Sequence, residues 1–207
     1  MYSKCRQRGL TVVELVMFIV IVGVAAAGIL QVMDLTNRNS TDPIRRKQAM
    51  LIAEAYMEEV QQAQFTACDA GDQNAGTAIY ITAPPLNPAH PELYCAGAAE
   101  NFGPEANNVR PYDNVNDYAS ANYNQGDSVR PFVNAAGVDT DVTGAQLGAG
   151  LGNVQLNDYT TTLALRNVAL NGIAAADVLE ITITVSYGVG ESVVLQGYRT
   201  RYEPRAL

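Results

Sequence analysis

An apolar run with one acid at its start constrains the fold of this chain more than any other feature. The 19 residues between Glu14 and Asp34 include a single strongly polar side chain, that of Gln31. At about 1.5 Å per residue, a helix of this length spans roughly 28 Å, close to the bilayer hydrocarbon thickness of about 30 Å. The run therefore predicts a membrane-spanning helix.

The acid at the start of this run is energetically unusual. An ionised carboxylate near the centre of a membrane helix costs about 2.5–3.5 kcal/mol even on lenient insertion scales. Glu14 therefore points to a functional partner for its carboxylate. Basic residues lie on both sides of the run, so their distribution does not set the orientation of the helix. They are Lys4, Arg6 and Arg8 before it, and Arg38, Arg45, Arg46 and Lys47 after it.

The segment Gly9-Leu10-Thr11-Val12-Val13-Glu14-Leu15 resembles the class III signal of type IV prepilins and pseudopilins. The resemblance implies a leader at residues 1–9, cleavage between Gly9 and Leu10 by a prepilin peptidase, and N-methylation of the new Leu10 amine. Glu14 then occupies the fifth mature position, where the family carries an acid, although the family more often has Phe or Met at the position of Leu10. Residues 10–35 become a transmembrane and assembly helix with a cytoplasmic N-terminus.

The same resemblance implies a role for Glu14 in assembly. In a filament, its carboxylate would meet the Leu10 amine of a neighbouring subunit. Such a buried pair sets register, and loss of one partner is costly even where the pair stabilises little. The implied partners are the prepilin peptidase and N-methyltransferase, other major and minor pilins, and the inner-membrane assembly platform. The implied location is the bacterial inner membrane, with a periplasmic head, and then the pilus filament or its tip.

A secretory signal peptide is the main alternative interpretation of the N-terminus. It too has a basic start and an apolar centre, and Ala25-Ala26-Ala27-Gly28 would serve as its cleavage region. Glu14 argues against it, because the acid lies where the apolar centre should begin. The apolar run also continues past that region to Met33. A plain membrane anchor remains a further alternative, whereas a lipoprotein is disfavoured because Cys5 precedes the run.

Length and charge limit the remaining function classes. A chain of 207 residues suits one membrane segment and one head domain, residues 36–207. The formal net charge is -8, and removal of the leader makes it more negative. An acidic chain without a basic stripe is not expected to bind nucleic acid.

Cysteine usage predicts a disulfide in the head. Cys5 would leave with the leader, so Cys68 and Cys95 remain as an even pair in an exported domain. Two buried free thiols are the alternative. A zinc-type metal site is not expected, because His90 is the only histidine of the chain.

A second helix is predicted at about residues 43–64. Asp42 is a good N-cap and Pro43 suits the first helical position, which places a break or kink near residues 36–43. Glu54, Glu58 and Gln62 mark the solvent face. Apolar residues at helical spacing should pack on the domain's own sheet. They are Ala49, Ile52, Ala53, Tyr56, Val60 and Ala63.

An irregular loop region is predicted for residues 68–152, which are rich in Gly, Pro, Asn and Asp, with a possible short strand at residues 79–82. Within it, Arg110-Pro111-Tyr112-Asp113-Asn114-Val115-Asn116-Asp117-Tyr118 resembles a segment of minor pilins of the mannose-sensitive haemagglutinin (MSHA) pilus, the MshD type. The stretch from Asp42 to Ala49 has the same likeness.

Strands are predicted over about residues 160–202. Apolar and polar residues alternate from Leu179 to Tyr187, which is typical of a half-buried strand. A four-residue turn, Gly188–Glu191, would place Glu180 opposite Arg199 and Ile181 opposite Tyr198. A third strand is predicted at residues 160–170. The expected fold is α+β and pilin-like: a long N-terminal helix, transmembrane in its lower half, packs on a small antiparallel sheet beside the loop region.

No catalytic set emerges from the sequence. His90 lies in a Pro-rich loop and would have to carry any Ser-His-Asp or Cys-His constellation alone. The glycines of residues 148–152 and 188–190 lack the context of nucleotide-binding loops. No enzyme activity, cofactor or metal is therefore expected.

Two groups of acids raise the alternative of calcium. They are Asp139 and Asp141 with Gly144, and Asp113 and Asp117 with Asn116. Neither has the spacing of an EF-hand, so solvated turn acids are the favoured interpretation.

These inferences together predict a minor pilin of a type IV pilus, of the MSHA kind, that supports adhesion. A minor pseudopilin of a type II secretion system is the alternative with the same architecture. A membrane-anchored periplasmic binding domain that never polymerises is the alternative from another class.

Overall fold

The computed structural model describes residues 11–79, 89–97, 99–106, 109–150 and 156–201, without the side chains of residues 35–42. The chain divides into two compact units, Met1–Arg45 and Arg46–Leu207.

The helix α1, Val12–Gln62, begins in the first unit and ends in the second. Thr11 caps its start: the Glu14 N–H donates to Thr11 Oγ1 at 3.3 Å, and the Leu15 N–H donates to the Thr11 carbonyl at 3.1 Å. A threonine followed three residues later by glutamate is a helix-start pattern, and a carboxylate in the first turn complements the helix dipole.

The long N-terminal helix that was predicted is present, but it does not break near residues 36–43 to start again at Pro43. Residues 36–43 are helical, and Pro43 lies inside α1. The prediction that Asp42 caps a new helix beginning at Pro43 is therefore wrong. An interior proline loses one backbone hydrogen bond and costs about 3 kcal/mol, which the helical residues on both sides must offset. The predicted kink near residues 36–43 stays a prediction.

The N-terminal part of α1 exposes its apolar side chains within the first unit. The 23 residues Val12–Asp34 have a mean hydropathy of 2.7, and none of the most apolar stretch is buried. By length and composition, this helix can cross a membrane.

The second unit contains a three-stranded antiparallel sheet. Its strands are β1 (Tyr159–Asn167), β2 (Val178–Tyr187) and β3 (Ser192–Thr200), in the order β1-β2-β3. The predicted C-terminal strands are thus confirmed. Three short 3-10 helices complete the described elements, at Pro91–Leu93, Val115–Tyr118 and Ala175–Asp177.

The core of the second unit lies between the sheet and the C-terminal part of α1. All six residues of the predicted apolar stripe are buried, and Glu54, Glu58 and Gln62 are exposed as expected. The six stripe residues share one hydrophobic cluster with alternate residues of β1 and β2, including Leu163, Leu165, Ile181, Ile183 and Val185. Each large apolar side chain buried there contributes about 1.5–3 kcal/mol.

The register of β2 and β3 differs from the prediction by one residue. Ser186 pairs with Ser192, so Glu180 lies opposite Tyr198 and Ile181 lies opposite Gly197. The predicted pairs of Glu180 with Arg199 and of Ile181 with Tyr198 are wrong. The Tyr187 N–H donates to the Glu191 carbonyl, so the two strands close around a turn of three residues, 188–190, instead of four.

The change of register turns Arg199 toward α1. Its Nη2 donates to the carbonyl of Ala63 at 3.2 Å. Glu180 instead accepts from Arg166 at 3.1 Å and from the Tyr198 hydroxyl at 3.2 Å. A slip of one residue therefore moves an arginine from one face of the sheet to the other.

The loop region is irregular over its described residues, as predicted, with isolated bridges in place of strands. The possible strand at residues 79–82 lies outside the described residues except for Ile79, which is not in a strand.

Candidate functional sites

Glu14 is exposed at the third helical position of α1, directly before the exposed apolar surface. The predicted cleavage residues Gly9 and Leu10 lie outside the described residues. By length and composition, this helix could cross a membrane. A carboxylate in such surroundings would need a cationic partner.

The predicted disulfide is present. Cys68 and Cys95 are bonded, with their Cα atoms 5.4 Å apart. Cys68 is fully buried and packs with Ala67 and Ala78 in a small second cluster. The bond ties the segment after α1 to a later part of the loop region.

A buried ion pair joins α1 to the loop region. Arg110 Nε and Nη2 donate to the two carboxylate oxygens of Glu59 at 2.5 and 2.7 Å. Arg110 Nη1 donates to the carbonyl and hydroxyl oxygens of Thr140, each at 3.0 Å. The Tyr118 hydroxyl donates to Glu59 Oε1 at 3.0 Å. The arginine and glutamate side chains are only 11% and 9% exposed, so the pair is desolvated.

Aromatic rings surround this pair. The Tyr56 and Phe132 rings stack with centroids 4.0 Å apart, and the Arg110 guanidinium lies 5.3 and 5.0 Å from the two centroids. Burial lowers the pKa of Arg110, but the hydrogen bonds and charge of Glu59 outweigh that effect and raise it overall. The guanidinium of Arg110 is thus held in its charged form.

The sequence did not reveal this pair. Glu59 lies between the buried and solvent faces of α1, and 51 residues separate it from Arg110. The one available signal was the distinctive segment from Arg110 to Tyr118. That segment is structural: the Asp113 carbonyl accepts from Gln64 N–H, and the Val115 N–H donates to the Gln64 carbonyl.

The paired acids Asp139 and Asp141 have different environments. Asp139 is buried, bonded to Arg130 at 2.8 Å and accepting from the Thr161 N–H at 2.7 Å, so its interpretation as a solvated turn acid is wrong. Asp141 is a turn acid as predicted. Hydrogen bonds from the hydroxyl and N–H of Thr143, and from the Ala145 N–H, hold the pKa of Asp141 below its usual value.

Asp117, from the second group of acids, lies in a cluster of three carboxylates. One oxygen each of Glu100, Glu105 and Asp117 lie within 4.8 Å of one another. Glu100 and Asp117 are buried and Glu105 is exposed. No sequence pattern points to Glu100 or Glu105, because neither has a recognisable ligand spacing with Asp117.

Gly103 supports this cluster from the backbone. Its φ is +103°, its N–H donates to the Asn116 carbonyl at 3.1 Å, and an added Cβ would lie 2.6 Å from the Ala121 nitrogen. Only glycine fits a positive φ combined with so close a backbone approach.

We expect Gly103→Ala to lower the free energy of unfolding by more than about 2 kcal/mol, because the new methyl group meets main-chain atoms. Gly126→Ala is the matched control, since Gly126 has a φ of +93° and open space around its Cβ position. Gly126→Ala should therefore show only the cost of placing alanine at a positive φ, about 1 kcal/mol. Urea unfolding of both variants checks the difference, and equal costs would contradict the steric argument.

His90 lies on the surface, as expected for a histidine in a Pro-rich loop. Its Nδ1 is 3.1 Å from Glu92 Oε1, and its side chain is 52% exposed.

A cavity of about 700 Å³ opens beside the buried ion pair. Its lining combines apolar residues of α1, such as Leu51 and Ala55, with Arg110, Tyr112 and Val142 from the loop region.

Comparison of the chain with protein-family models, curated proteins and solved structures finds no match.

Proposed function

We propose that this protein is a minor pilin of a type IV pilus, of the MSHA kind. It is inserted in the inner membrane, cut between Gly9 and Leu10, N-methylated on Leu10, and assembled into a filament that supports adhesion. It acts as a structural subunit and as the substrate of its processing peptidase, with no catalytic role of its own.

The observation that carries the proposal is the exposed acid at the start of an exposed apolar helix. Glu14 lies near the start of the stretch Val12–Asp34, which is long and apolar enough to cross a bilayer. In lipid alone, its carboxylate would remain uncompensated. Cleavage after Gly9 would create an amine at the start of each helix, so packing of such helices would supply the missing cation.

The layout of the second unit supports the same proposal. The C-terminal part of α1 buries one face against a small antiparallel sheet, and a disulfide constrains the adjoining loop region. One helix thus has an exposed apolar part, which would pack against other subunits, and a part that packs on a sheet. A subunit that polymerises through its helix needs both.

The first test is mass spectrometry of the mature N-terminus. We expect a chain that begins at N-methylated Leu10. A chain that begins near Gly28 would establish a secretory signal peptide and exclude the proposal, whereas an intact leader would favour a plain membrane anchor.

The second test concerns Glu14. We expect Glu14→Gln to reduce incorporation into sheared filaments at least tenfold at unchanged membrane levels, because removal of one partner leaves the Leu10 amine unpaired. Glu54→Gln, which removes an exposed carboxylate from the same helix, is the matched control. Immunoblots of filament and membrane fractions measure the effect. Equal incorporation of the two variants would refute the assembly role of Glu14.

The alternatives differ in what the processed chain joins. A type II secretion pseudopilin would be processed at the same bond, but its loss would abolish protein secretion and leave pili intact. A non-polymerising binding domain would use the cavity beside Arg110 and would not enter filaments. The fractionation above distinguishes that domain from both filament subunits.

A further inference from the structure

Three separate backbone connections bring the carboxylates of Glu100, Glu105 and Asp117 together. Glu100 follows the bridge of Cys68 with Ala99, and its N–H donates to the Ala67 carbonyl at 3.0 Å. Asp117 is held in the 3-10 helix, where its Oδ2 accepts from the Asn114 N–H at 3.3 Å. Glu105 comes shortly after Gly103, which is bonded to Asn116. The cluster is therefore built by the fold and is not a chance meeting of surface side chains.

Glu100 provides an observation independent of this proximity. The residue is 7% exposed, and both of its carboxylate oxygens are buried without a hydrogen-bond partner in the described part of the chain. A buried carboxylate without donors costs several kcal/mol when ionised. The neighbouring Asn116 also has a buried side-chain oxygen that no described group bonds. These buried oxygens can accept a hydrogen bond or coordinate a cation, and no described group fills either role.

Among the described residues, the charges that raise the pKa of Glu100 and of Asp117 are negative. Burial, followed by the charges of Asp117, Glu105, Asp69 and Asp113, raises the pKa of Glu100 to about 8. Burial, followed by the charge of Glu105, raises the pKa of Asp117 to about 7. Every charged residue that shifts Glu100 is thus an acid, and a cation is the group that would relieve the repulsion.

We propose that Glu100, Glu105 and Asp117 bind one calcium ion. Oxygens within 4.8 Å of one another can share a Ca²⁺ ion, whose oxygen ligands lie at about 2.3–2.6 Å. Three carboxylates offer up to about six oxygens, and the exposed Glu105 leaves one side open to water ligands. Because all three ligands are carboxylates, the site favours a hard cation over a transition metal. The site lies in the second unit and does not depend on the filament proposal.

The bound ion would connect the disulfide-linked segment to the segment that carries Arg110. Glu100 lies next to the strand bridge of Cys68, and Asp117 lies seven residues after Arg110.

The test is thermal unfolding of the full chain in detergent, followed by the near-ultraviolet dichroism of its tyrosines. After treatment with EDTA, we expect millimolar CaCl₂ to raise the Tm of the second unit by at least about 4 °C. Glu100→Gln keeps the shape of the side chain and should abolish the shift. Glu105→Gln should reduce it without disturbing the fold, because Glu105 is exposed.

Glu191→Gln, which changes an exposed acid of the β2–β3 connection, is the matched control and should keep the full shift. Three results would overturn the proposal. The first is no rise in Tm when CaCl₂ is added to the unsubstituted chain. The second is a rise in both Glu100→Gln and Glu105→Gln that equals the rise in the unsubstituted chain, and the third is an equal rise when MgCl₂ replaces CaCl₂.

Discussion

Arg110→Met is expected to lower the free energy of unfolding of the second unit by about 3–5 kcal/mol, because it leaves the buried Glu59 carboxylate without its cation. The guanidinium makes two hydrogen bonds to Glu59 and two to Thr140, and it lies against the rings of Tyr56 and Phe132. Methionine keeps part of the apolar contact with those rings and none of the hydrogen bonds. Urea unfolding of the full chain in detergent, followed by tyrosine dichroism, measures the loss.

The matched control is Arg166→Met, which removes an arginine from an exposed ion pair. Arg166 is 59% exposed and meets Glu180 at 3.1 Å, so we expect a loss of at most about 1 kcal/mol. The double variant Arg110→Met, Glu59→Gln should recover part of the stability, because it removes the uncompensated charge. Similar losses for Arg110→Met and Arg166→Met would show that the buried pair does not hold α1 to the loop region.

Cys68→Ser with Cys95→Ser is expected to lower the free energy of unfolding by about 3–4 kcal/mol. The disulfide links residues 27 apart, and the loop-entropy relation gives a cost of this size for its removal. The fully buried Cys68 adds a polar hydroxyl to an apolar cluster when it becomes serine. Urea unfolding with and without reductant measures the effect.

Two comparisons separate the disulfide from side effects of the substitutions. In the unprocessed chain, which still carries its leader, Cys5→Ser removes a thiol that is not part of the bond and should leave the stability unchanged. Reductant should destabilise the unsubstituted chain and have no effect on the double variant. If the double variant were as stable as the unsubstituted chain, the disulfide would not contribute to the free energy of unfolding, and the prediction would be wrong.

Features that depend on neighbouring residues were predictable from the sequence. The stripe from Ala49 to Ala63 and the alternation from Leu179 to Tyr187 repeat with the periods of a helix and a strand, and each residue's burial follows from its place in that period. Pro43 shows the limit of such signals, because a local helix-start pattern was overridden by the helix on both sides of it.

Features that depend on distant residues were not predictable in the same way. A turn between β2 and β3 that is one residue shorter than predicted reversed the face of Arg199, and no local pattern sets that length. The pairing of Glu59 with Arg110 and the meeting of Glu100 with Asp117 follow from the path of an irregular loop, which has no repeating period to read.

The sequence by itself determined that this protein has an apolar helix able to cross a membrane, with Glu14 at its start, and a half-buried sheet near its C-terminus. Composition along the chain is sufficient for that, because hydrophobic length and periodicity act locally. Only the tertiary structure decided which charges are buried and which partners they have. Burial changes the free energy of a charge by several kcal/mol, and it depends on residues that the chain brings together from far apart.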